Sequence, residues 1–268
     1  IFKPTGLEMY GKCSYRYFAG EVLQLEEKEE GIDARQVGII LHDVLESYWK
    51  ERVEKGNKDL GDVQTAEAFV KNRLQELLKE SPLLGERAYR VELKKSEMED
   101  WLVRMVRKEI EVGPPLPPFR PRYFEFEFGL GGGTPPLKLH DPYREDLLLR
   151  GKIDRIEVDP TGRSALIIDY KTGATFKMKD LESGTALQLP LYLLVVQQHL
   201  KLRPLGGIIY QIQSGESKGF FLREGVEEAG AQVHSRSLLE KKDSTACLKN
   251  PFVSPVNLRM ESPEPRWP

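Results

Sequence analysis

The chain has 268 residues, with 40 Lys plus Arg against 42 Asp plus Glu, a hydrophobic fraction of 40% and two cysteines. That composition suits a globular domain able to bury a large core; it excludes a disulfide scaffold, because Cys13 and Cys247 cannot staple a chain of this size, and makes a reducing, cytoplasmic setting the default. The longest apolar run, 189–196, is far below the roughly 20 residues that span a bilayer, and the net charge of −2 excludes a general basic coat for nucleic acid, though not a metal-assisted site whose carboxylates offset its lysines.

The start, Ile1-Phe2-Lys3-Pro4, shows no initiator Met and no signal- or transit-peptide pattern, so the chain is expected to be part of a longer protein. No repeat is visible at periods of roughly 20 to 50 residues. The charge run at 26–30 reads as a solvated loop. Val37, Ile40, Leu41, Val44, Leu45 and Tyr48 recur at three and four, which predicts an amphipathic helix. Val63, Ala66, Val70, Leu74 and Leu77 predict a second. Leu102, Met105, Val106 and Ile110 predict a third, stopped by the Gly113-Pro114-Pro115 and Pro117-Pro118 cluster.

After the prolines the period changes to two. Residues 123–128 alternate strictly, predicting a strand with Phe124, Phe126 and Phe128 on one face and Glu125 and Glu127 on the other. A Gly/Pro-rich loop follows at 129–136. Segments 147–158 and 165–169 read as strands, and Asp159-Pro160-Thr161-Gly162 between them is turn chemistry, so the pair should be a hairpin. Segment 185–200 is apolar almost all round, as a helix buried against a sheet would be, with Pro190 in its first turns or at a kink. Later strands are predicted at 208–212 and 220–222, and a Pro-rich tail at 254–268. The expected whole is one mixed α/β domain with an N-terminal helical section.

The strongest chemical signal is Ile167-Ile168-Asp169-Tyr170-Lys171-Thr172-Gly173. Asp169 and Lys171 are two apart on a strand built to be buried, so they share a face. Burying both is costly unless they pair or bind something; alone, they read equally well as a structural ion pair. Asp154, in Gly151-Lys152-Ile153-Asp154-Arg155, shifts the balance. Positions 154 and 169 lie about equally far from the turn, so antiparallel pairing puts the two carboxylates nearly opposite each other. They repel unless a cation lies between them, and oxygen ligands on rigid strands suit Mg²⁺ or Mn²⁺. Lys171 is then placed to orient a water or steady an anionic transition state.

Four further groups are candidates. His42 and Glu46 are four apart on one helix face, with Gly38 a turn earlier allowing close approach of another backbone. A lone His in such a place is more often a satisfied boundary residue than a ligand. Glu125 and Glu127 share a strand face and read as a solvent edge or as a third carboxylate. Gln188 and Tyr192 are four apart on the predicted buried helix and need partners there, from the core or from a site. Lys152, Arg155, Lys171, Lys177 and Lys179 cluster around the core motif as phosphate contacts. Arg155 reads equally as the structural partner of a carboxylate.

In order and spacing, these residues resemble the RecB-type branch of the PD-(D/E)XK nuclease superfamily. The series runs from Cys13-Ser14-Tyr15-Arg16-Tyr17-Phe18 through Gly38, His42 and Leu45-Glu46, Glu125-Phe126-Glu127-Phe128 and Gly151-Lys152-Ile153-Asp154-Arg155. It continues through Asp169-Tyr170-Lys171-Thr172-Gly173 to Gln188-Leu189-Pro190-Leu191-Tyr192. It covers roughly residues 5–225; each motif is weak alone, and the ordered series is specific.

The resemblance implies a restriction-endonuclease-like core, a mixed sheet flanked by helices, within a nuclease domain at 1–253: helical at 1–112, catalytic at 121–225. It implies His42, Asp154, Asp169 and the Tyr170 carbonyl as metal ligands, Lys171 as the catalytic lysine, and Glu125 in preference to Glu127 as a further catalytic carboxylate. Gln188, Tyr192, Glu46, Arg155, Lys152 and Lys177 would support the site or hold DNA. The implied activity is Mg²⁺- or Mn²⁺-dependent hydrolysis of DNA phosphodiesters, as an exonuclease in repair and recombination; the near-neutral charge and the lack of a nucleotide-binding motif add the expectation that single-stranded or frayed ends are preferred. The implied setting is a larger helicase–nuclease or a RecB-family exonuclease. The runner-up is an inert DNA-end-binding module of the same fold, although inert relatives usually lose the Asp or Lys that this chain retains. No Walker motif occurs, so any helicase motor lies elsewhere. Many relatives hold an iron–sulfur cluster with four cysteines. Here Cys13 and at most Cys247 match, with Phe252 and Val253 where others would be sought, so no cluster is expected.

Overall fold

The computed structural model describes residues 1–25, 32–83, 87–116, 118–140, 145–173 and 177–221. The expected solvated loop at 26–30, the strand residue Leu222, Cys247 and the expected tail at 254–268 lie outside the described residues. The chain opens with two short helices, α1 (Pro4–Lys12) and α2 (Ser14–Tyr17), and a π-helical turn at Phe18–Val22. Three long helices follow: α3 (Ala34–Val53), α4 (Val63–Glu80) and α5 (Ala88–Glu111). Two are capped by local chemistry. Asp33 accepts from the Arg35 amide at 2.8 Å and Asp62 from the Thr65 amide at 3.0 Å, satisfying donors that helix ends leave orphaned. All six stripe residues of α3 are buried, as are Ala66, Val70, Leu74 and Leu77 of α4 and Leu102, Met105 and Val106 of α5. Each such burial contributes roughly 1.5–3 kcal/mol for the larger side chains. Among the described residues no helix is long and apolar enough to cross a membrane.

The strands are β1 (Arg120–Phe128), β2 (Leu137–Leu139), β3 (Leu147–Leu149), β4 (Gly151–Val158), β5 (Ser164–Lys171), β6 (Arg203–Gln211) and β7 (Glu216–Phe221). Five of them form a mixed sheet in the order β1-β4-β5-β6-β7; only the β5/β6 pair is parallel. Its crossover carries α6 (Met178–Glu182) and α7 (Gln188–Val195), as parallel neighbours require. Strand β5 is buried along nearly its whole length, as a central strand covered on both faces should be. Helices α3, α4 and α5 cover one face of the sheet, where Leu166, Ile168 and Tyr170 point. Helix α7 covers the other, packing on Ile156 and Ile167. At Gly207 the helix lies close: an added Cβ would meet Leu189 Cδ2 at 3.0 Å.

Four expectations change. Segment 147–158 is two strands, because the Arg150 amide leaves the ladder to donate to Phe2 O at 2.8 Å and β3 pairs with β2 in a separate two-stranded sheet. The buried helix begins at Gln188 and ends as a π-helical turn, Val196–Leu200, before Lys201 turns left-handed at φ 58°. Pro190 does fall in its first turn. The face Gly38 presents is open: a Cβ there would meet nothing nearer than Thr172 Oγ1 at 4.0 Å, so close backbone approach is not its role among the described residues. The three phenylalanines of β1 do not share a face. Phe124 packs with α3–α5, while Tyr123, Phe126 and Phe128 pack on the α7 side, and the Tyr123 and Phe126 rings meet at 5.9 Å. The alternation inverts at Glu125, whose φ of 47° is left-handed.

Candidate active site

The hairpin turn sets the register. Asp159 accepts from the amides of Arg163 at 2.8 Å and Ser164 at 2.7 Å, a local network that closes β4 onto β5. The ladder then runs Val158↔Ala165 to Arg155↔Ile168, and one further step brings Asp154 to Asp169. The Tyr170 amide donates to Asp154 Oδ2 at 2.6 Å, so the junction between the two carboxylates is itself hydrogen-bonded. On the other side, β1 pairs Phe124 with Arg155 and Phe126 with Ile153. Glu125 lies between those pairs, level with Asp154, and its left-handed backbone turns the carboxylate to the site. Of the two glutamates, Glu125 is the one that reaches it.

His42, on the buried face of α3, completes the cluster. Its Nδ1 is 3.4 Å from Asp154 Oδ1 and 3.9 Å from Glu125 Oε1, and its ring meets Tyr170 edge-on at 6.0 Å. Burial alone would lower the His42 pKa, but Asp154 and Glu125 outweigh it and carry the imidazole up to about 10. The two carboxylates thus draw the imidazole between them toward its protonated form. Ligand atoms of His42, Glu125 and Asp154 all lie within 4.8 Å of one another. A six-coordinate Mg²⁺ holds its ligands at about 2.0–2.1 Å, which sets them about 3–4 Å apart. One nitrogen and two carboxylates around a pocket that already favours a cation fit such an ion after a small contraction.

Asp169 lies beside this cluster and not in it. Its Oδ1 accepts from Gln188 Nε2 at 2.9 Å and its Oδ2 meets Lys171 Nζ at 2.6 Å. Burial pushes Asp169 upward, with Asp154 adding to the rise against Lys171, while Asp154 itself is held low because His42, Lys171 and the Tyr170 amide overcome its burial. Two neighbouring carboxylates with pKa values driven apart are a common sign of divided roles. Lys171 remains an ammonium: burial lowers its pKa, and Asp169 and Asp154 raise it further than that. Gln188 Nε2 also donates to the Tyr192 hydroxyl at 3.0 Å, so this pair of α7 faces the site. Lys152 reaches Glu125, and Glu46 is taken by Lys50 at 2.7 Å. Lys177 and Lys179 are exposed at α6.

Arg155 is no phosphate contact. Next in chain to Asp154, it points to the opposite face and is wholly buried. There it meets Glu157, pairs with Glu109 at 3.3 Å, donates to the Tyr170 hydroxyl at 3.0 Å and covers the Trp49 ring at 4.0 Å. Of the two readings open for Arg155, the carboxylate partner holds, since a guanidinium flanked by two buried glutamates has no route to DNA. Trp49 and Glu109 were not legible as site supports. Trp49 sits on the α3 stripe and donates to the same Tyr170 hydroxyl at 3.0 Å, and Glu109 hides among the many charges of α5.

The family model described as the PD-(D/E)XK nuclease superfamily matches residues 2–250. Curated proteins named as a subunit of an ATP-dependent helicase/deoxyribonuclease are similar to the chain. That of Alkaliphilus oremlandii is 30% identical over 223 residues, 76% of this chain and 19% of the relative. That of Thermoanaerobacter sp. is 28% identical over 233 residues, 79% and 19% respectively. That of Clostridium tetani is 26% identical over 211 residues, 73% and 17%. The chain thus spans less than a fifth of the length of the curated relatives it matches.

Proposed function

The chain belongs to the PD-(D/E)XK nuclease superfamily, and on that premise we propose that it is a Mg²⁺- or Mn²⁺-dependent deoxyribonuclease, the nuclease part of a larger helicase–nuclease. Its task is exonucleolytic hydrolysis of DNA phosphodiesters in repair and recombination. The names of its relatives support the DNA substrate and the helicase partner. The observation that carries the reading is the meeting of His42, Glu125 and Asp154 within 4.8 Å, against the Asp169–Lys171 pair at 2.6 Å.

His42, Glu125 and Asp154 would hold the ion, with Asp169 and the Tyr170 carbonyl at its margin. A divalent ion bound there supplies Lewis-acid charge beside the scissile phosphate. Lys171 keeps its proton and donates hydrogen bonds to the oxygens on which charge develops, a role that needs a permanent ammonium. Asp169 holds Lys171 Nζ in place and is itself aimed by Gln188. Exposed Lys152, Lys177 and Lys179 receive the flanking phosphates. The test is digestion of end-labelled single-stranded DNA with and without Mg²⁺, with Asp169→Ala as control. Metal-dependent cleavage lost in the variant is expected; cleavage that persists in EDTA overturns the reading.

A further inference from the structure

Helix α7 carries Gln188 into the site, yet it begins without a cap of its own. Its N-cap residue, Leu187, offers no side-chain acceptor, and its first turn has no acidic residue. Pro190 has no amide hydrogen, which leaves the amides of Leu187, Gln188 and Leu189 in search of acceptors. Glu8, some 180 positions earlier in the chain, answers two of them. Its Oε1 accepts from Leu187 N at 2.7 Å and from Gln188 N at 2.9 Å. Glu8 is half-buried on α1, and α1 is held at Leu7 and at the residue pair that leads into it. Leu7 packs into the α7-side core, and Phe2 bridges to Leu149 and exchanges backbone hydrogen bonds with Leu148 and Arg150.

We propose that Glu8 is a positioning residue for phosphodiester cleavage: by capping α7 from outside, it fixes the Gln188 side chain that aims Asp169, and through Asp169 the Lys171 ammonium. The relay is continuous, from Glu8 Oε1 to Gln188 N, then Gln188 Nε2 to Asp169 Oδ1 at 2.9 Å, then Asp169 Oδ2 to Lys171 Nζ at 2.6 Å. The backbone amide bonded to Glu8 and the side-chain amide bonded to Asp169 belong to one residue, so a shift at the first is passed to the second. The inference rests on the nuclease reading of the site. A misplacement of about 1 Å at a reacting group costs up to about 100-fold in rate; a relay one residue removed is expected to cost about 10-fold.

The experiment measures single-turnover cleavage of labelled single-stranded DNA by the full chain carrying Glu8→Ala, Glu8→Gln, Glu8→Asp, Gln188→Ala and the Glu8→Ala/Gln188→Ala pair. Asp169→Ala is the control for the site itself. Glu8→Ala should lower the saturating single-turnover rate constant about 10-fold with the half-saturating enzyme concentration unchanged, and add nothing further in the Gln188→Ala background, as expected of residues acting in one chain. Glu8→Gln keeps an acceptor at the same reach and should recover most of the rate; Glu8→Asp keeps the charge but is one methylene shorter and should not. A readout without turnover is the Gln188 side-chain amide in ¹H–¹⁵N spectra of metal-free protein, which should shift in Glu8→Ala and Glu8→Asp but not in Glu8→Gln. If Glu8→Ala does not fold, the Gln–Asp contrast carries the test alone. Additive losses in the double variant, or Glu8→Asp outperforming Glu8→Gln, overturn the proposal while Asp169→Ala is inactive. Cleavage undiminished in Asp169→Ala instead overturns the nuclease site on which it rests.

Discussion

Arg155 and Tyr170, each one residue beyond a site carboxylate, meet beneath the sheet, where Arg155 Nη1 donates to the Tyr170 hydroxyl at 3.0 Å. Above the sheet the Tyr170 amide holds Asp154 at 2.6 Å. Strands β4 and β5 are therefore clamped on both faces at the one point where the carboxylates must stay in register. Trp49 joins α3, the helix of His42, to the same hydroxyl, so α3, β4 and β5, which carry His42, Asp154 and Asp169, share one buried anchor.

Removing the anchor should unfold the protein before it impairs DNA binding. Arg155→Ala leaves Glu109 and Glu157 buried together without a cation, a loss of about 3–5 kcal/mol. The check is urea denaturation, beside the salt dependence of DNA binding. An Arg155→Ala protein of wild-type stability with a shallower salt slope would return Arg155 to the phosphates.

At the site itself, Asp154→Ala, Asp169→Ala and Lys171→Ala should each lower cleavage by about 100-fold or more, the scale of losing a preorganised electrostatic group. The three are expected to differ in metal binding. Calorimetry should show weakened Mn²⁺ affinity in both Asp variants and near-normal affinity in Lys171→Ala. Wild-type rates in any of them would sink the assignment.

Metal and proton should compete at His42. Below about pH 10 the metal-free imidazole is protonated between Asp154 and Glu125, and ligation requires the neutral ring, so binding expels a proton. Affinity should therefore rise with pH, by at most about tenfold per unit, and level off above about pH 10. Calorimetry in buffers of different ionisation heat should count close to one proton released, and His42→Ala should abolish that release while raising the metal concentration for half-maximal activity. An unchanged proton count in the variant contradicts His42 as the ligand.

Glu125 should reveal strain in its backbone. A non-glycine residue at positive φ stores about 1–3 kcal/mol, while the Glu125 carboxylate is held by Lys152 and His42. Glu125→Gln loses the ion pairs and keeps the strain; Glu125→Gly loses both. In EDTA the Gly variant should melt a few degrees above the Gln variant while cleavage collapses in both. A Gly variant that melts no higher than the Gln variant would show that the backbone at 125 is not strained.

Substrate choice should follow from the small number of phosphate contacts. Three exposed lysines, Lys152, Lys177 and Lys179, predict a log–log salt slope near −2 on single strands, at about −0.7 per contact. Cleavage should need no ATP and favour single-stranded or frayed ends over closed circular duplex. Circular duplex cut as fast as single strands would falsify the end-dependent reading.

The pairing of Asp154 with Asp169 was legible because it depends on local chemistry: turn residues at 159–162 set equal distances along the two arms of the hairpin and so determine which residues meet. The amphipathic stripes of α3, α4 and α5 were legible for the same reason. What escaped was set by partners distant in the chain. Nothing near Arg155 tells whether its guanidinium turns to DNA or to Glu109, 46 positions away. The inversion of β1 at Glu125 breaks the alternation from which its faces were read, because tertiary packing there overrides the pattern. The break at Arg150 depends on Phe2, and the start of α7 depends on Glu8.

The candidate ligands are shared between two stretches of chain separated by the glycine-rich turn at 129–134, where Gly129 N donates to Thr134 O at 3.0 Å. His42 and Glu125 precede that turn; Asp154, Asp169, Lys171 and Gln188 follow it. Gly131 and Gly133 at its tip are exposed, and a Cβ added at either would meet open space, the kind of place where a nick is tolerated. Neither fragment of a chain cut there would own enough ligands to hold a metal ion, so cleavage competence would exist only in the reassembled pair, as in a split reporter whose halves are separately silent.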